Sequence, residues 1–394
     1  MKVLVVTKDL FPVRNGLSDH TGLVCQLLAR HGHQVTVLCE KLEGREGHPQ
    51  GAAASQTVVE FASRRELLKL LVQAAAGGHR PDVVLFQYVP HMWGRAGIAP
   101  FAALLPLWLL LRLRLPVVSF LHELHVDWSI RPKQLILALC HRLQLLLIGM
   151  ASRTLIVTNY KREASIGKWW GRKVHRLPAG NVSARKADRD RTRKYAWPYI
   201  TWFGTLSADQ RLEPFVQAFC RLAARDRELR LVLVGGFDAE SPRMQGIYEL
   251  AAQHGLRDRI VVCGYVEDDE LSDILHGSAA NLFINEDGPS GRRGVIAAYL
   301  RSGRAVISLK GGETDPEFVH GLNVYFVQDD DAEALERQLR RVLQDQQLRG
   351  TLERGARRLY DRMFSDSSIY TKLNSIFKHT LLTERKNKAG RRYL

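Results

Sequence analysis

Short apolar runs and helix-period stretches alternate along most of the chain. Val3–Val6, Val35–Leu38, Asp82–Phe86, Pro116–Leu121 and Thr154–Val157 read as buried strands, too short for helices and rich in β-branched residues. Between them Thr21–Arg30, Glu66–Ala76 and Gln134–Met150 carry apolar residues at helical spacing. In the first of these Leu23, Val24, Leu27 and Leu28 share a face, and Gly32 stops the helix. The rhythm halts at Ala184–Lys194, a charged stretch with no apolar periodicity, which predicts a surface connection. It then restarts, with strands at Tyr199–Phe203, Leu229–Val234 and Ile260–Cys263 and helices at Leu212–Leu222 and Gln245–Gln253. A last helix is predicted over Ser367–Leu382. Strand–helix alternation of this kind predicts two α/β domains of the doubly wound type. Their bounds are expected at 1–183 and 197–360, with a linker at 184–196, a terminal helix at 361–383 and a basic tail at 384–394.

The segment Asn281–Leu309 (NLFINEDGPSGRRGVIAAYLRSGRAVISL) sharpens this picture. An apolar run, Leu282–Ile284, gives way to an acidic loop broken by Gly and Pro. A helical pattern follows at Val295–Ser302, Gly303 stops it, and a second strand begins at Ala305. In doubly wound sheets ligands sit outside the carboxyl ends of the strands. Here that loop holds Gly288, Ser290, Gly291, Arg292, Arg293 and Gly294. Glycines let backbone N–H groups approach an anion, a helix start adds its positive end, and guanidinium forks match phosphate oxygens. The loop therefore predicts a diphosphate-like ligand.

The same residues carry a family resemblance. Ala298-Tyr299-Leu300-Arg301-Ser302-Gly303-Arg304-Ala305-Val306-Ile307 stands where retaining family 4 glycosyltransferases of the GT-B fold often have E-A-M-A-S-G-x-P-V-V. Gly311-Gly312, Asp315-Pro316-Glu317, Gly321-Leu322-Asn323 and the aspartates before Ala332 continue in that family's order. The chain thus resembles GT-B glycosyltransferases. The resemblance implies two Rossmann-like domains facing a cleft, a terminal helix that returns to the first domain, and transfer of a sugar from a nucleotide-diphosphate donor. It implies donor phosphates at Gly16, Arg211, Arg292, Arg293 and Gly294, and base and sugar at Gly204, Gly264, Tyr265 and Ser290. Arg14 and Asn15 fall on the acceptor side. His122, directly after the strand Pro116–Leu121, stands where the family places a histidine beside the transferred sugar. Two departures are plain. The family's paired glutamates, eight positions apart, correspond to Ser290 and Ala298. The arginine and lysine of its G-R-L…K-G motif correspond to Thr205 and Gln210, with Arg211 one step away. These losses raise a second expectation, a non-catalytic GT-B protein that binds a nucleotide sugar or a partner enzyme.

Other chemistry is narrowed by what the chain holds. Its 394 residues leave room for two domains with unstapled cores. The five cysteines are scattered in apolar contexts with no C-x-x-C pair, which excludes a zinc ribbon and predicts reduced, buried thiols. No calcium-loop spacing occurs, so no obligatory metal and no cofactor beyond the nucleotide-sugar substrate are expected. The loop after the first strand lacks G-x-G-x-x-G, which argues against a dinucleotide oxidoreductase. An epimerase or a phosphorylase on the same fold is a further alternative, the latter without a recognisable pyridoxal lysine motif. The N-terminal apolar run is too short for a signal peptide, and Ile98–Leu111 is too short for a membrane span, so a cytoplasmic protein is expected. The net charge of +16 comes without a nucleic-acid motif. It points first to an anionic membrane surface, and with Leu104–Leu111 and the basic tail it predicts a lipid-linked acceptor at the inner membrane face.

Overall fold

The computed structural model describes residues 1–10, 13, 15–41, 56–76, 78, 80–126, 128, 130–179, 192–328 and 331–390, with backbone alone for 385–390. Arg14, most of the predicted linker and the end of the basic tail lie outside the described residues. The chain divides into two units, Met1–Ala179 with Asp366–Leu394, and Gly180–Ser365.

In the first unit the order is β1 (Lys2–Val6), α1 (Gly16–Arg30), β2 (Gln34–Glu40), β3 (Gln56–Phe61), α2 (Arg64–Ala76), β4 (Val83–Tyr88), α3 (Pro90–Trp93), α4 (Pro100–Arg112), β5 (Val117–Leu121), α5 (Pro132–Ala151), β6 (Thr154–Val157), α6 (Tyr160–Trp170) and β7 (Val174–Arg176). The strands form one parallel sheet in the order β3-β2-β1-β4-β5-β6-β7. Every residue of β4, β5 and β6 is buried, as expected of strands covered on both faces. The edge strand β3 buries only Phe61, which is why its sequence does not announce it.

The second unit repeats the plan with β8 (Tyr199–Phe203), α7 (Leu212–Ala223), β9 (Arg230–Val234), α8 (Pro242–Gln253), β10 (Ile260–Gly264), α9 (Asp268–Gly277), β11 (Ala280–Phe283), α10 (Gly294–Ser302), β12 (Ala305–Leu309), β13 (Tyr325–Val327), α11 (Ala332–Gln344) and α12 (Gln346–Met363). Its parallel sheet runs β10-β9-β8-β11-β12-β13. Strand order reverses between β8 and β11, so the loops leaving these two neighbours turn to opposite faces and open a crevice. α13 (Asp366–Gly390) then joins the first unit. It buries Ile369, Leu373 and Phe377, and Thr380 shares a 2.7 Å hydroxyl bond with Thr154.

One helix differs from the sequence reading. α5 is apolar on both faces rather than amphipathic. It buries His141, Gln144, Leu145 and Ile148 and exposes Leu139, Leu143 and Leu146. By length and composition alone it is apolar enough to cross a membrane, although it packs into the core of the first unit. α4 buries Leu105 and Leu109 and exposes Leu104 and Leu111.

One buried phenol joins α10 to the sheet. Tyr299 Oη accepts from the Phe203 N–H at 2.7 Å and donates to the Phe203 carbonyl at 3.2 Å. Burial pushes its ionisation far above the ordinary tyrosine range, so the hydroxyl stays neutral and able to donate. Tyr299→Phe leaves both backbone groups without that partner and is expected to cost about 1–3 kcal/mol. A denaturant midpoint equal to that of the parent chain would show the bond to be dispensable.

Candidate functional site

The loops after β8 and β11 meet at the reversal of strand order. Asn285 follows β11, and its Nδ2 donates to Asp209 Oδ2 at 2.6 Å. The Asp209 carbonyl accepts from Glu286 N at 3.0 Å, and Arg211 N donates to the Ile284 carbonyl at 3.0 Å. Asn285 Oδ1 accepts from Asp287 N at 3.0 Å, which turns the chain back. Gly288 has φ +79°, and a Cβ there would lie 2.1 Å from Thr314 Oγ1, so no larger residue fits. The buried Asp315 fixes the rest of the loop: its carboxylate accepts from Gly291 N at 2.7 Å, and its own N–H donates to the Pro289 carbonyl at 3.0 Å. On the other side Arg243 of α8 pins the loop after β8 through the Ser207 carbonyl at 2.6 Å, the Gln210 carbonyl, and Glu213.

Each arginine that the sequence assigns to phosphate has a carboxylate partner. Arg293 Nη2 lies 2.8 Å from Asp287 and 3.0 Å from Asp209. Arg292 Nη1 lies 3.0 Å from Glu313, and Arg211 Nη1 lies 3.2 Å from Glu286. These three cations therefore sit among Asp209, Glu286, Asp287 and Glu313, and the loop has no excess of positive charge. Burial by itself would raise the Asp209 carboxyl. Hydrogen bonds from Ser207 and Asn285, with the Arg293 guanidinium, outweigh burial and hold it below the usual carboxylate range.

A shelf of glycines runs beside this network. Gly204 and Gly235 directly follow β8 and β9, and Gly264 ends β10. Gly204 N donates to the Val234 carbonyl at 3.0 Å and Gly235 N to the Gly264 carbonyl at 2.8 Å. A Cβ on Gly235 would lie 1.8 Å from the Gly204 oxygen, which requires glycine there. Tyr265 follows, 61% exposed. Gly294 opens α10, whose first turn carries no acidic residue. Ser290 and Ala298, at the positions of the family's paired glutamates, are both buried, and the Ser290 hydroxyl has no partner among the described atoms.

In the first unit a polar cluster sits at the ends of β4 and β5. His122 N bonds the Tyr88 carbonyl at 3.1 Å, and His122 Nε2 lies 2.6 Å from Gln87 Oε1. With Oε1 as acceptor, Nε2 carries the imidazole proton. The ring stacks on Phe120 at 4.5 Å and meets the edge of His20 at 4.9 Å. Arg162 donates to the His122 carbonyl and, at 3.3 Å, to Thr158 Oγ1. Burial, with the neighbouring His20 and Arg162, holds His122 well below the ordinary imidazole range, so the ring is neutral at pH 7. Asn15, expected on the acceptor side, caps α1. Its Oδ1 accepts from Ser18 N at 2.9 Å and its Nδ2 donates to Asp9 at 2.6 Å. The cap is thus Asn15, where Ser18 or Asp19 would serve equally by residue type. Gly16 follows as the first residue of the helix with open space beside it.

Sequence reasoning passes over Asp209, Arg243, Tyr299, Gln87 and His20. A lone acid in a Gly-containing loop is the only signal Asp209 offers. His20 is held down at about 4 by burial, although its bond to the Ala179 carbonyl pulls upward. Between pH 6.5 and about 4 the unfolded chain gains a proton that the folded site refuses. Stability is therefore full above the unfolded pKa and falls with pH across that window, by about 3 kcal/mol in all. His20→Gln is expected to flatten this slope in denaturation curves taken across the window; an unchanged slope would remove the burial argument.

Comparison with known proteins agrees with the fold. Residues 197–345 match the family model for glycosyl transferases group 1. No curated protein matches the chain by sequence. The structure is similar to that of Anabaena Alr3699/HepE in complex with UDP and glucose, at 13% identity and a TM-score of 0.67, covering 96% of this chain and 100% of that one. It is also similar to a glycosyltransferase from Rickettsia africae (16% identity, TM-score 0.69, 96% and 98% covered) and to sucrose-phosphate synthase from Thermosynechococcus elongatus (15%, 0.66, 97% and 99%). The chain has the GT-B fold, and its match to the glycosyl transferases group 1 model falls within the second unit.

Proposed function

We propose that the chain is a hexosyl-type glycosyltransferase that moves a sugar from a nucleotide-diphosphate donor to an acceptor hydroxyl, with retention at the anomeric carbon. The observation that carries this reading is a coincidence of place. The group 1 match spans 197–345, and the crevice where the loops after β8 and β11 meet lies inside it. The HepE structures hold UDP, UDP-glucose, or UDP with glucose, which makes a uridine nucleotide sugar the first donor to test.

In this reading the glycine shelf and Tyr265 take the nucleoside, because backbone without side chains lets a flat ring approach. The diphosphate takes the start of α10 at Gly294, where the helix dipole favours negative charge. Arg211, Arg292 and Arg293 exchange carboxylate oxygens for phosphate oxygens, a swap between partners of matching fork geometry. Rate enhancement then comes from orientation and from neutralising the departing diphosphate. No metal is required in this scheme. The first unit takes the acceptor, with the neutral His122 imidazole as a hydrogen-bonding group for a hydroxyl. A lipid-linked acceptor fits the charge of +16.

A second reading, a protein that binds a nucleotide sugar without turning it over, is favoured by one observation. Ser290 and Ala298 are small, buried residues at the positions of the paired glutamates, and carboxylates neutralise the nearby arginines. UDP release from UDP-glucose by the purified chain, with and without acceptor, separates the two.

Calorimetry with UDP tests the shared premise. Arg292→Ala/Arg293→Ala is expected to weaken binding by about tenfold or more. Asp287→Asn removes a competitor for both guanidinium groups and is expected to tighten binding by about twofold or more. Equal affinity in all three proteins would place the diphosphate elsewhere.

A further inference from the structure

The outward face of α5 is built inside out. Ile136, Leu139, Leu143, Leu146 and Met150 recur at alternating spacings of three and four, which forms one continuous stripe along the helix. They are 42–61% exposed, while the polar His141 and Gln144 point inward and are buried. From Leu135 onward every exposed position of the helix is apolar. α4, which packs against α5, adds exposed Leu104 and Leu111. Trp128, 58% exposed, and Ile130, almost wholly exposed, lead into the stripe. A soluble face rarely shows so many contiguous large hydrophobes without a partner.

Charge selects the partner. Between Val83 and Arg162 the chain has nine Lys or Arg residues against only Glu123 and Asp127, and neither α4 nor α5 contains an acid. Arg112, Arg114, Arg131 and Lys133 are exposed at the ends of these two helices, and the Arg142 guanidinium lies 3.9 Å from the Trp128 ring centre. In a symmetric dimer this patch would meet itself, with cations outnumbering carboxylates on both sides. An anionic lipid surface instead offers acyl chains to the stripe and phosphates to the cationic ends, with the indole at the boundary between them.

We infer that the α4–α5 face docks on an anionic bilayer, with α5 lying along the interface. The inner face of α5 is held by the core of the first unit through Leu145 and Ile148, so the helix lies on the membrane rather than crossing it. This inference concerns the first unit alone. It gives a physical basis for a lipid-linked acceptor and holds whatever nucleotide the second unit takes.

Flotation of the full chain with phosphatidylcholine vesicles, with and without phosphatidylglycerol, tests it. The parent chain is expected to float with the anionic vesicles only. Leu139→Gln/Leu143→Gln/Leu146→Gln is expected to lower the bound fraction by about tenfold or more, and Arg131→Gln/Lys133→Gln by several-fold. Amide hydrogen exchange on the parent chain supplies a measurement free of variants: exchange across 132–151 is expected to slow on anionic vesicles. UDP affinity is expected to be the same in the parent and the stripe variant, so a chain that floats but fails to bind UDP sinks the donor reading and leaves this one standing. Flotation undiminished in the stripe variant would overturn the proposal. So would a dimer in light scattering that the stripe variant dissolves while vesicle binding persists, since a second copy would then own the face.

Discussion

Asp209 is the residue on which the second unit's crevice depends. Two neighbouring strands of a parallel sheet send their loops to opposite faces where strand order reverses, and nothing in the sheet itself holds those loops together. Here the Asp209 carboxylate takes the Asn285 amide at 2.6 Å and the Arg293 guanidinium at 3.0 Å, and its backbone carbonyl takes Glu286 N–H. The loop after β8 is thereby tied to the loop after β11. Arg243 from α8 fixes one side of this joint and Asp315 the other. A carboxylate with this many donors stays ionised well into acid, so the joint does not titrate near neutral pH.

The consequence is a site poised by balance rather than by excess charge. Three guanidinium groups and four carboxylates share the loops, each arginine with an acid within 3.2 Å. Such pairs orient the forks without neutral gaps in the packing, and partial exposure keeps their energies modest. In the proposed reading, a diphosphate replaces these carboxylates as the multivalent acceptor for the three guanidinium groups.

Most of the sheet was legible in the sequence, for a physical reason. β1, β4, β5, β8, β9, β11 and β12 are buried on both faces, so each is written as a mostly apolar run with at most one or two polar residues. β3 buries only Phe61 and leaves no such trace. α12 was also missed, because its arginines, with Glu353 and Asp361, dilute the stripe of Leu352, Leu359 and Met363 that meets the core. At the site the Gly and Arg residues of 288–294 stood out by composition. Their partners did not: Arg293 and Asp209 are 84 positions apart, Arg292 and Glu313 are 21 apart, and only the fold brings them together. Asn15 shows the opposite case, a residue whose type fits a ligand-binding turn but whose side chain is occupied in capping α1. The inside-out character of α5 was hidden as well, since periodicity cannot tell which side of an all-apolar helix meets the core.

Amide hydrogen exchange of the full chain with and without UDP tests the central claim most directly. The account predicts that UDP slows exchange at 204–211 and 285–296, the two loops joined through Asp209 and the start of α10, ahead of any other part of the second unit. Protection confined to other segments, with both loops exchanging as fast as in the free chain, would contradict it.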